Sequence, residues 1–381
     1  MSTRIPLFRQ GYSEEAISRI SEDVAEVLRS GRLMFGENTH RLESEFSERM
    51  GGHAAVSVNS CTTAMEICLR FFGCDGKEVI VASAGFVTAA TSVWRAGGEP
   101  VFSDISPDTF QATVETIEAV LTEETCGVIF VHLLGMVFPE IERIRDFCRA
   151  KGLFLIEDCA HACGAEWKGA KAGEFGDAGC FSFYPTKIIS CGAGGMILTR
   201  DEELTAFARS IRVFGRGKDG RVYLEGNDWF LDEFRSVVLR HHLAELDANL
   251  TARGRIAERY RRALAGLDGI RLFPEDGRSR FAHYQFPVIF RSGLRRREMQ
   301  AFLLSEFNVQ SKVVYRPVHT EPVFQGRAVR RAESLEVTEN MLDHTLVIPL
   351  YPLLSEEDQD RVIQAIRAGL AREAPPSPSH G

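Results

Sequence analysis

The first half of the chain contains seven short apolar runs, and stretches with helical periodicity separate most of them. Runs of this length, rich in Val, Ile and Phe, predict β-strands. Because strands alternate with helices, the pattern predicts an α/β fold with a mostly parallel sheet covered on both faces. The predicted strands are residues 54–59, 78–82, 99–104, 127–133, 153–158, 179–184 and 194–199.

The pattern changes after the last of these strands and predicts a second domain. From Leu231 to about Leu267 it becomes one helical stretch rich in Leu, Ala, Arg and Glu, which we interpret as a single long helix leading into that domain. The prediction is therefore a large domain over residues 1–250 and a smaller domain over residues 251–371. The composition of residues 372–381 is typical of a disordered tail.

Charge and hydropathy exclude several classes of function. The 381 residues carry a formal net charge of −8, which argues against a nucleic-acid-binding surface. The chain contains no apolar stretch long enough to span a membrane, and its first 15 residues lack the apolar core of a signal peptide. We therefore expect no nucleic-acid or membrane partner and a cytoplasmic location.

The cysteine pattern indicates neither a disulfide framework nor a structural metal site. Nine cysteines are scattered between residues 61 and 191, and no two are spaced as C-x-x-C. Cys159 and Cys163 could share a helix face, but no histidine or carboxylate lies at zinc spacing. We interpret these cysteines as small buried apolar residues and expect no metal.

Residues that directly follow the predicted strands are candidates for ligand binding, because ligands of open parallel sheets bind at the carboxyl ends of the strands. Ser60 follows the first strand and is a plausible N-cap, so the amides of residues 61–63 could bind an anion. A plain helix cap explains this stretch equally well.

Two further strand ends carry ionisable side chains. Asp158 ends a buried strand and needs either an internal salt bridge or a cationic ligand atom. His161, three residues later, fits an ordinary structural histidine. Lys187 lies between apolar flanks, where burial would lower its pKa and make the amine nucleophilic, although its ammonium group could also reach water.

Together, the three strand ends suggest one cofactor. Pyridoxal 5'-phosphate needs helix amides for its phosphate, a carboxylate to keep its pyridine nitrogen protonated, and an amine to form a Schiff base. In this chain the amides come from the helix that begins after Ser60, the carboxylate from Asp158 and the amine from Lys187.

The sequence resembles the DegT/DnrJ/EryC1/StrS family of sugar aminotransferases over nearly its whole length. The motifs that carry the resemblance, in chain order, include EVLRSGRLMFGENTHRLESEF, SVNSCTTAMEICL, IEDCAHACGA, FSFYPTK followed by GAGG, and VIPLYPLLSEEDQDRVIQAI. The resemblance implies the fold-type I architecture of pyridoxal-phosphate enzymes. That architecture has a large domain with a mostly parallel seven-stranded sheet and a smaller C-terminal α+β domain.

The resemblance also implies roles for individual residues. Lys187 would form the Schiff base with the cofactor and later move the proton between substrate and cofactor. Asp158 would pair with the pyridine nitrogen, and His161 would lie near the phenolic oxygen of the ring. Phe86 matches the position that stacks on the ring, although core packing would also explain it. The implied phosphate contacts are the amide of Cys61, Thr62 and the hydroxyl of Ser182.

Two segments depart from the family pattern. Residues 192–195 read G-A-G-G where the family usually has G-E-G-G, so a carboxylate near the lysine is missing. In the family segment G-x-N-x-R, whose asparagine reaches the phosphate bound by the partner subunit, Asp228 replaces asparagine and Phe230 replaces arginine. An aspartate would repel a phosphate, so either Asn227 makes this contact or the contact is lost.

The resemblance implies an aminotransferase that takes the amino group from glutamate or glutamine. The implied acceptor is a nucleotide-linked keto-sugar or a cyclitol ketone, and the implied pathway is amino-sugar or antibiotic biosynthesis. The implied assembly is a homodimer with shared active sites. One alternative is a sugar dehydratase, but such relatives replace the lysine with histidine and this chain has Lys187. Another alternative is a regulatory relative that has kept the fold and lost turnover.

Overall fold

The computed structural model describes residues 3–275, 277–291, 296–327 and 329–373. The helices are α1 (Glu14–Ser30), α2 (Glu37–Arg49), α3 (Cys61–Phe71), α4 (Thr88–Arg95), α5 (Val114–Glu118), α6 (Glu140–Lys151), α7 (Glu202–Ile211), α8 (Glu233–Ala244), α9 (Leu246–Leu264), α10 (Arg296–Phe307), α11 (Glu336–Asp343) and α12 (Glu356–Glu373). The strands are β1 (Ala54–Val58), β2 (Glu78–Ala82), β3 (Glu99–Ser103), β4 (Thr125–Val131), β5 (Phe154–Asp158), β6 (Glu166–Trp167), β7 (Ala170–Lys171), β8 (Ala178–Ser182), β9 (Gly195–Thr199), β10 (Ile270–Arg271), β11 (Ser279–Arg280), β12 (Phe286–Phe290), β13 (Lys312–Val313) and β14 (Thr345–Ile348).

The main sheet has seven strands in the order β1-β9-β8-β5-β4-β2-β3. Only β9 runs antiparallel to its neighbours β1 and β8, and the remaining pairs are parallel. The predicted α/β fold is therefore confirmed, and each predicted strand agrees with an observed one to within two residues at either end. The chain segments that follow β1, β5 and β8 lie at the same edge of this sheet.

The predicted long helix at residues 231–267 is wrong in one respect, because the structure has two helices there. Glu245, with φ −89° and ψ 1°, interrupts the helix between α8 and α9. Leu246 and Leu250 of α9 pack in the core of the main sheet, whereas Ile256 and Tyr260 pack in a second core. α9 therefore begins as a helix of its own and contributes to both cores.

The second core lies on an antiparallel four-stranded sheet of order β10-β12-β14-β13. A third, small sheet joins β11 to the hairpin β6-β7. The predicted division between residues 250 and 251 stays a prediction. Of the predicted tail at 372–381, the first two residues complete α12, and the others lie outside the described residues. None of the helices described is both long and apolar enough to cross a membrane.

Residues that follow β13 return to the main sheet and pack beside β3. The amide of Phe102 in β3 donates to the carbonyl of Arg330 at 3.0 Å, and the amide of Ala332 donates to the carbonyl of Phe102 at 2.8 Å. The Oγ atom of Ser83 lies 2.7 Å from Nδ1 of His319. These contacts hold the segment against the outer strand β3 and against Ser83, which directly follows β2. The segment thus lies at the carboxyl ends of the parallel strands.

Candidate active site

A cavity of about 450 Å³ opens at the carboxyl ends of β1, β5 and β8. Its volume is within the size range of small-molecule sites. Its walls are formed by residues of the main sheet and its connections, and by three residues that come later in the chain: Tyr284, Lys312 and Tyr315. Seven of the predicted site residues line the cavity, namely Cys61, Thr62, Phe86, Asp158, His161, Ser182 and Lys187.

Asn227 is the exception among the predicted site residues. Its side chain is exposed and does not line the cavity of its own chain. The Oδ1 atom of Asn227 accepts a hydrogen bond from the amide of Asp228 at 2.9 Å, and Asp228 is exposed as well. Phe230, where the family has arginine, packs against Phe35 with ring centroids 5.2 Å apart. A role for Asn227 therefore requires a second copy of the chain.

The start of α3 fits a phosphate group. The hydroxyl of Ser60 caps the helix by accepting from the amide of Thr63 at 3.1 Å. In the described part of the chain, the amides of Cys61 and Thr62 have no acceptor, so they are available to an anion at the helix N-terminus. Gly195 of β9 lies against this turn, and a Cβ atom there would lie 2.6 Å or less from the backbone of Ser60 and Cys61.

Asp158 supplies a buried carboxylate at the end of β5. Its side chain is 4% exposed, and its Oδ1 atom accepts from the amide of Ala160 at 3.0 Å. Burial raises the pKa of Asp158, even though nearby Lys187 favours its charged form. The internal salt bridge considered from the sequence is not observed, because no cation of the described residues lies within 4 Å of this carboxylate. A protonated pyridine nitrogen would supply the missing partner.

Lys187 presents its amine to the same cavity. The Nζ atom lies 4.9 Å from the ring centroid of Tyr284, and the hydroxyl of Tyr284 lies 2.9 Å from that of Thr186. Burial lowers the pKa of Lys187 to about 8, against the opposing attraction of Asp158 and Cys61. The residue as a whole is half-buried and lines the cavity, so its amine can be reached by a ligand there. With this pKa, roughly a tenth of the amine is neutral, and hence nucleophilic, at pH 7, far more than for a lysine with the ordinary pKa of 10.5.

His161 is held between two tyrosines as a neutral ring. It stacks on Tyr284 with centroids 4.1 Å apart, and burial lowers its pKa well below the usual range. The amide of Leu134 donates to Nδ1 at 3.3 Å, so the ring proton lies on Nε2, which is 3.1 Å from the hydroxyl of Tyr315. Leu134 has a left-handed φ of 62°, which turns its amide towards the ring. His161 thus has the fixed partners expected of a structural histidine and also lines the cavity.

Phe86 lies at the mouth of the cavity. Its side chain is 49% exposed, and its ring centroid is 5.5 Å from that of Tyr315. Core packing, the alternative considered from the sequence, is therefore wrong for this residue. An exposed aromatic face beside Asp158 and Lys187 suits the flat ring of a cofactor.

Among the cavity-lining residues that the sequence analysis missed are three from the C-terminal part of the chain, namely Tyr284, Lys312 and Tyr315. None of them follows a strand of the main sheet, so the rule that located Asp158 and Lys187 could not find them. Tyr284 precedes β12, and Lys312 belongs to a strand of only two residues. Their contribution depends on how the C-terminal part of the chain folds back, which no local pattern encodes.

Another buried cluster, formed by His132, Glu157 and Cys159, has its ligand atoms within 4.8 Å of one another. The carboxylate of Glu157 already accepts from the amides of Gly173, Phe175 and Gly176 at 2.7–2.9 Å, and it lies 2.6 Å from Nε2 of His132. These hydrogen bonds satisfy the carboxylate, so the cluster fixes the backbone beneath β5.

Comparison with known proteins agrees with this geometry. The sequence profile of the DegT/DnrJ/EryC1/StrS aminotransferase family matches residues 14–367. A pleiotropic regulatory protein of Geobacillus stearothermophilus is 34% identical over 359 residues, which cover 93% of this chain and 95% of the relative. The dTDP-3-amino-3,4,6-trideoxy-alpha-D-glucose transaminase of Micromonospora megalomicea subsp. nigra is 32% identical over 378 residues, covering 96% and 98%.

Solved structures show the same agreement in three dimensions. DesV of S. venezuelae, determined in complex with a ketimine intermediate, is 31% identical, with a TM-score of 0.91 over 97% of this chain and 99% of that chain. The resemblance noted from the sequence motifs is thus confirmed, and the free amides, the unpaired carboxylate and the buried amine fit the cofactor that these enzymes use. This chain belongs to the DegT/DnrJ/EryC1/StrS family and is a pyridoxal-phosphate-dependent aminotransferase.

Proposed function

We propose that the protein transfers an amino group from glutamate or glutamine to the keto carbon of a nucleotide-linked sugar, as a step of amino-sugar biosynthesis. The observation that carries this proposal is the meeting of Asp158, Lys187 and the free amides of α3 in one cavity. The sugar assignment rests on relatives such as the dTDP-linked sugar transaminase. A cyclitol ketone is the other acceptor that the family resemblance allows.

The bound cofactor supplies an electron sink for the negative charge that develops on the reacting carbon. Asp158 would hold a proton on the pyridine nitrogen, because its buried carboxylate has no ion-pair partner within 4 Å among the described residues. Lys187 would hold the cofactor through its Nζ atom in the neutral form, and the same atom would accept the proton removed from the donor carbon. His161 and Phe86 orient the ring. The phosphate contacts come from the amide of Cys61, Thr62 and the hydroxyl of Ser182.

The proposed working unit is a homodimer in which each cavity is completed by the exposed residues Asn227 and Asp228 of the other subunit. The proposal is supported by five large apolar side chains that are exposed in the single chain and would be covered in a dimer. They are Leu33, Met34, Phe214, Val222 and Tyr223. Val222 and Tyr223 belong to the loop that leads to Asn227. The cytoplasmic location and a role in antibiotic biosynthesis stay predictions.

A regulatory protein without turnover is the second candidate, since a relative that is 34% identical to this chain is named a pleiotropic regulatory protein. Absorbance of the purified, cofactor-loaded protein distinguishes the two. An aminotransferase should show the visible band of lysine-linked pyridoxal, lose it when glutamate is added, and regain it with a keto-sugar acceptor. A band that both glutamate and glutamine leave unchanged would favour the regulatory candidate.

Replacement of Lys187 tests the assignment of the site. Lys187→Ala should fold normally and bind the cofactor without the lysine-linked band, whereas Lys151→Ala, at an exposed position on α6, should behave as the wild type. Borohydride reduction followed by peptide mapping should label Lys187 in the native protein. Labelling of another lysine would contradict the assignment.

A further inference from the structure

Lys312 is a cation of the active-site cavity that has no role in the proposed mechanism. It lies on the edge strand β13, lines the cavity, and is partly buried. Its Nζ atom lies 5.7 Å from the ring centroid of Tyr315 and forms no ion pair with any described residue. Burial without a counter-ion lowers the pKa of Lys312. A cation in this setting would be stabilised by an anionic ligand.

Lys312 is also the only cationic side chain, besides Lys187, among the described residues that line the cavity. The third basic group, His161, is neutral, since burial lowers its pKa far below the usual range. Lys187 cannot serve as a lasting anion site because its amine takes part in the reaction. An anion that enters this cavity therefore has one permanent cationic partner in the described part of the chain.

We propose that Lys312 binds the α-carboxylate of the amino donor. The inference rests on the proposed function, because it requires an amino acid to react at Lys187. Glutamate and glutamine both carry this carboxylate one bond from the carbon that bears the amine. Lys312 lines the same cavity as Lys187 and His161. The Nζ atom of Lys312 lies 5.7 Å from the ring centroid of Tyr315, whose hydroxyl is 3.1 Å from Nε2 of His161. The charge of Lys312 disfavours the protonated forms of Lys187 and His161. A carboxylate next to the reacting carbon would lie within reach of that cation.

The diphosphate of a nucleotide-linked sugar is the other anion to consider. It is attached at the anomeric oxygen, so several covalent bonds separate it from the keto carbon that must approach Lys187. Lys312 and Lys187 line the same cavity, which favours the anion that lies next to the reacting carbon, namely the α-carboxylate. Binding of the carboxylate would also neutralise Lys312 and remove its repulsion, so that Lys187 becomes a better proton acceptor when the donor is in place.

Equilibrium binding tests the inference without turnover. The probe is 2-methylglutamate, which carries the donor's carboxylates but lacks the α-hydrogen, and calorimetry measures its affinity for the holoenzyme. Lys312→Met should weaken binding about 10- to 100-fold, the effect of losing one charged hydrogen bond, and Lys312→Arg should keep most of the affinity. Lys151→Met is the matched control, since Lys151 lies 5.7 Å from the ring centroid of Phe147 on α6, outside the cavity.

A second ligand separates the two anions. The affinity for a nucleoside diphosphate should be the same in the wild type and in Lys312→Met. Unchanged binding of 2-methylglutamate, or equal weakening of both ligands, would overturn the inference. Weakening of the nucleoside diphosphate alone would also overturn it and would place the diphosphate at Lys312. Circular dichroism checks that the variants are folded.

Donor selectivity gives an independent measurement. 4-Aminobutyrate is glutamate without the α-carboxylate, so the wild type should strongly prefer glutamate in the absorbance change. Lys312→Met should need a higher glutamate concentration for half-saturation and so lose most of the preference for glutamate over 4-aminobutyrate. Lys151→Met should keep this preference. A preserved preference would contradict the inference. Failure of the proposed function would look different, because glutamate would then leave the absorbance of the wild type unchanged while 2-methylglutamate binding could still be measured.

Discussion

Burial acts on Asp158 and Lys187 in opposite directions, and each effect serves the chemistry of the cavity. A buried carboxylate is costly unless a cation approaches it, and burial therefore raises the pKa of Asp158. A protonated pyridine nitrogen beside it would stabilise the charged form. A buried ammonium group is costly too, and Lys187 responds by becoming easier to deprotonate. The two residues remain unpaired with each other within 4 Å, which leaves both available to the cofactor.

The lowered pKa of Lys187 predicts how cofactor attachment depends on pH. Only the neutral amine attacks the aldehyde, so the rate of attachment to cofactor-free protein should rise with pH and level off above about 8. In Lys312→Met the midpoint should move to higher pH, because a nearby positive charge is lost. Stopped-flow absorbance measures the rate. A rate that keeps rising to the ordinary lysine value of 10.5 would contradict the burial of the amine.

Asp158→Asn tests the role of the carboxylate. An amide cannot hold a proton on the pyridine nitrogen, so turnover should fall on the order of 100-fold or more, while the cofactor still binds through the lysine and the phosphate contacts. Steady-state rates and the cofactor dissociation constant measure the two effects separately. Near-normal turnover would remove Asp158 from the mechanism, and loss of the folded state would instead indicate a structural role.

The secondary-structure elements show where the sequence pattern is informative and where it stops. The strands of the main sheet were predictable because each is a compact apolar run, and the shared edge of a parallel sheet then brings Asp158 and Ser182 together. The break at Glu245 was not predictable, since the residues on both sides favour helix and the break arises from packing in two cores. Tyr284 and Lys312 were missed because tertiary contacts alone carry them to the cavity.

The close contact between β9 and the start of α3 leads to a prediction about Gly195. A Cβ atom at this position would overlap the backbone of Ser60 and Cys61, so Gly195→Ala should displace the helix start. We expect a loss of about 1–3 kcal/mol in the free energy of unfolding and weaker cofactor binding, because the amide of Cys61 moves. Denaturant unfolding and cofactor titration measure these effects.

Gly254 provides the control for this substitution. It lies inside α9, and a Cβ atom added there would meet no neighbouring atom of the described residues within 4 Å. Gly254→Ala should therefore stabilise the protein by about 0.5–1 kcal/mol and leave cofactor binding unchanged. If Gly195→Ala is as stable as the wild type and binds the cofactor equally well, the close approach of β9 to α3 has no functional consequence.

The molecule as a whole builds one cavity from two regions of the chain. The main sheet, the segment after β8 and α3 contribute Asp158, Lys187 and the anion-binding amides, and the later part of the chain contributes Tyr284, Lys312 and Tyr315. The fold-type I architecture was therefore predictable from motif order, whereas the wall that faces the substrate was not. In the proposed homodimer a third contribution comes from the exposed loop before Trp229 of the other subunit.

Asp228 leads to a prediction about substrate choice in that homodimer. Its side chain is exposed, and its carboxylate forms no ion pair with the part of the chain that the structure describes, so it can face the partner's cavity entrance. A negative charge there would repel a diphosphate in a partly desolvated cleft. Asp228→Asn should therefore increase kcat/KM for nucleotide-linked keto-sugars and leave the value for an uncharged keto-sugar or cyclitol ketone unchanged.

The measurement is a panel of ketone acceptors with and without a nucleoside diphosphate, assayed at low ionic strength, where charge effects are least screened. Asp268→Asn is the control, because Asp268 is exposed and pairs with Arg291 at 2.7 Å, far along the chain from the loop. Sedimentation of the wild type should show a dimer. A fully active monomer, or the same selectivity in Asp228→Asn as in the wild type, would contradict a charge filter contributed by the second subunit.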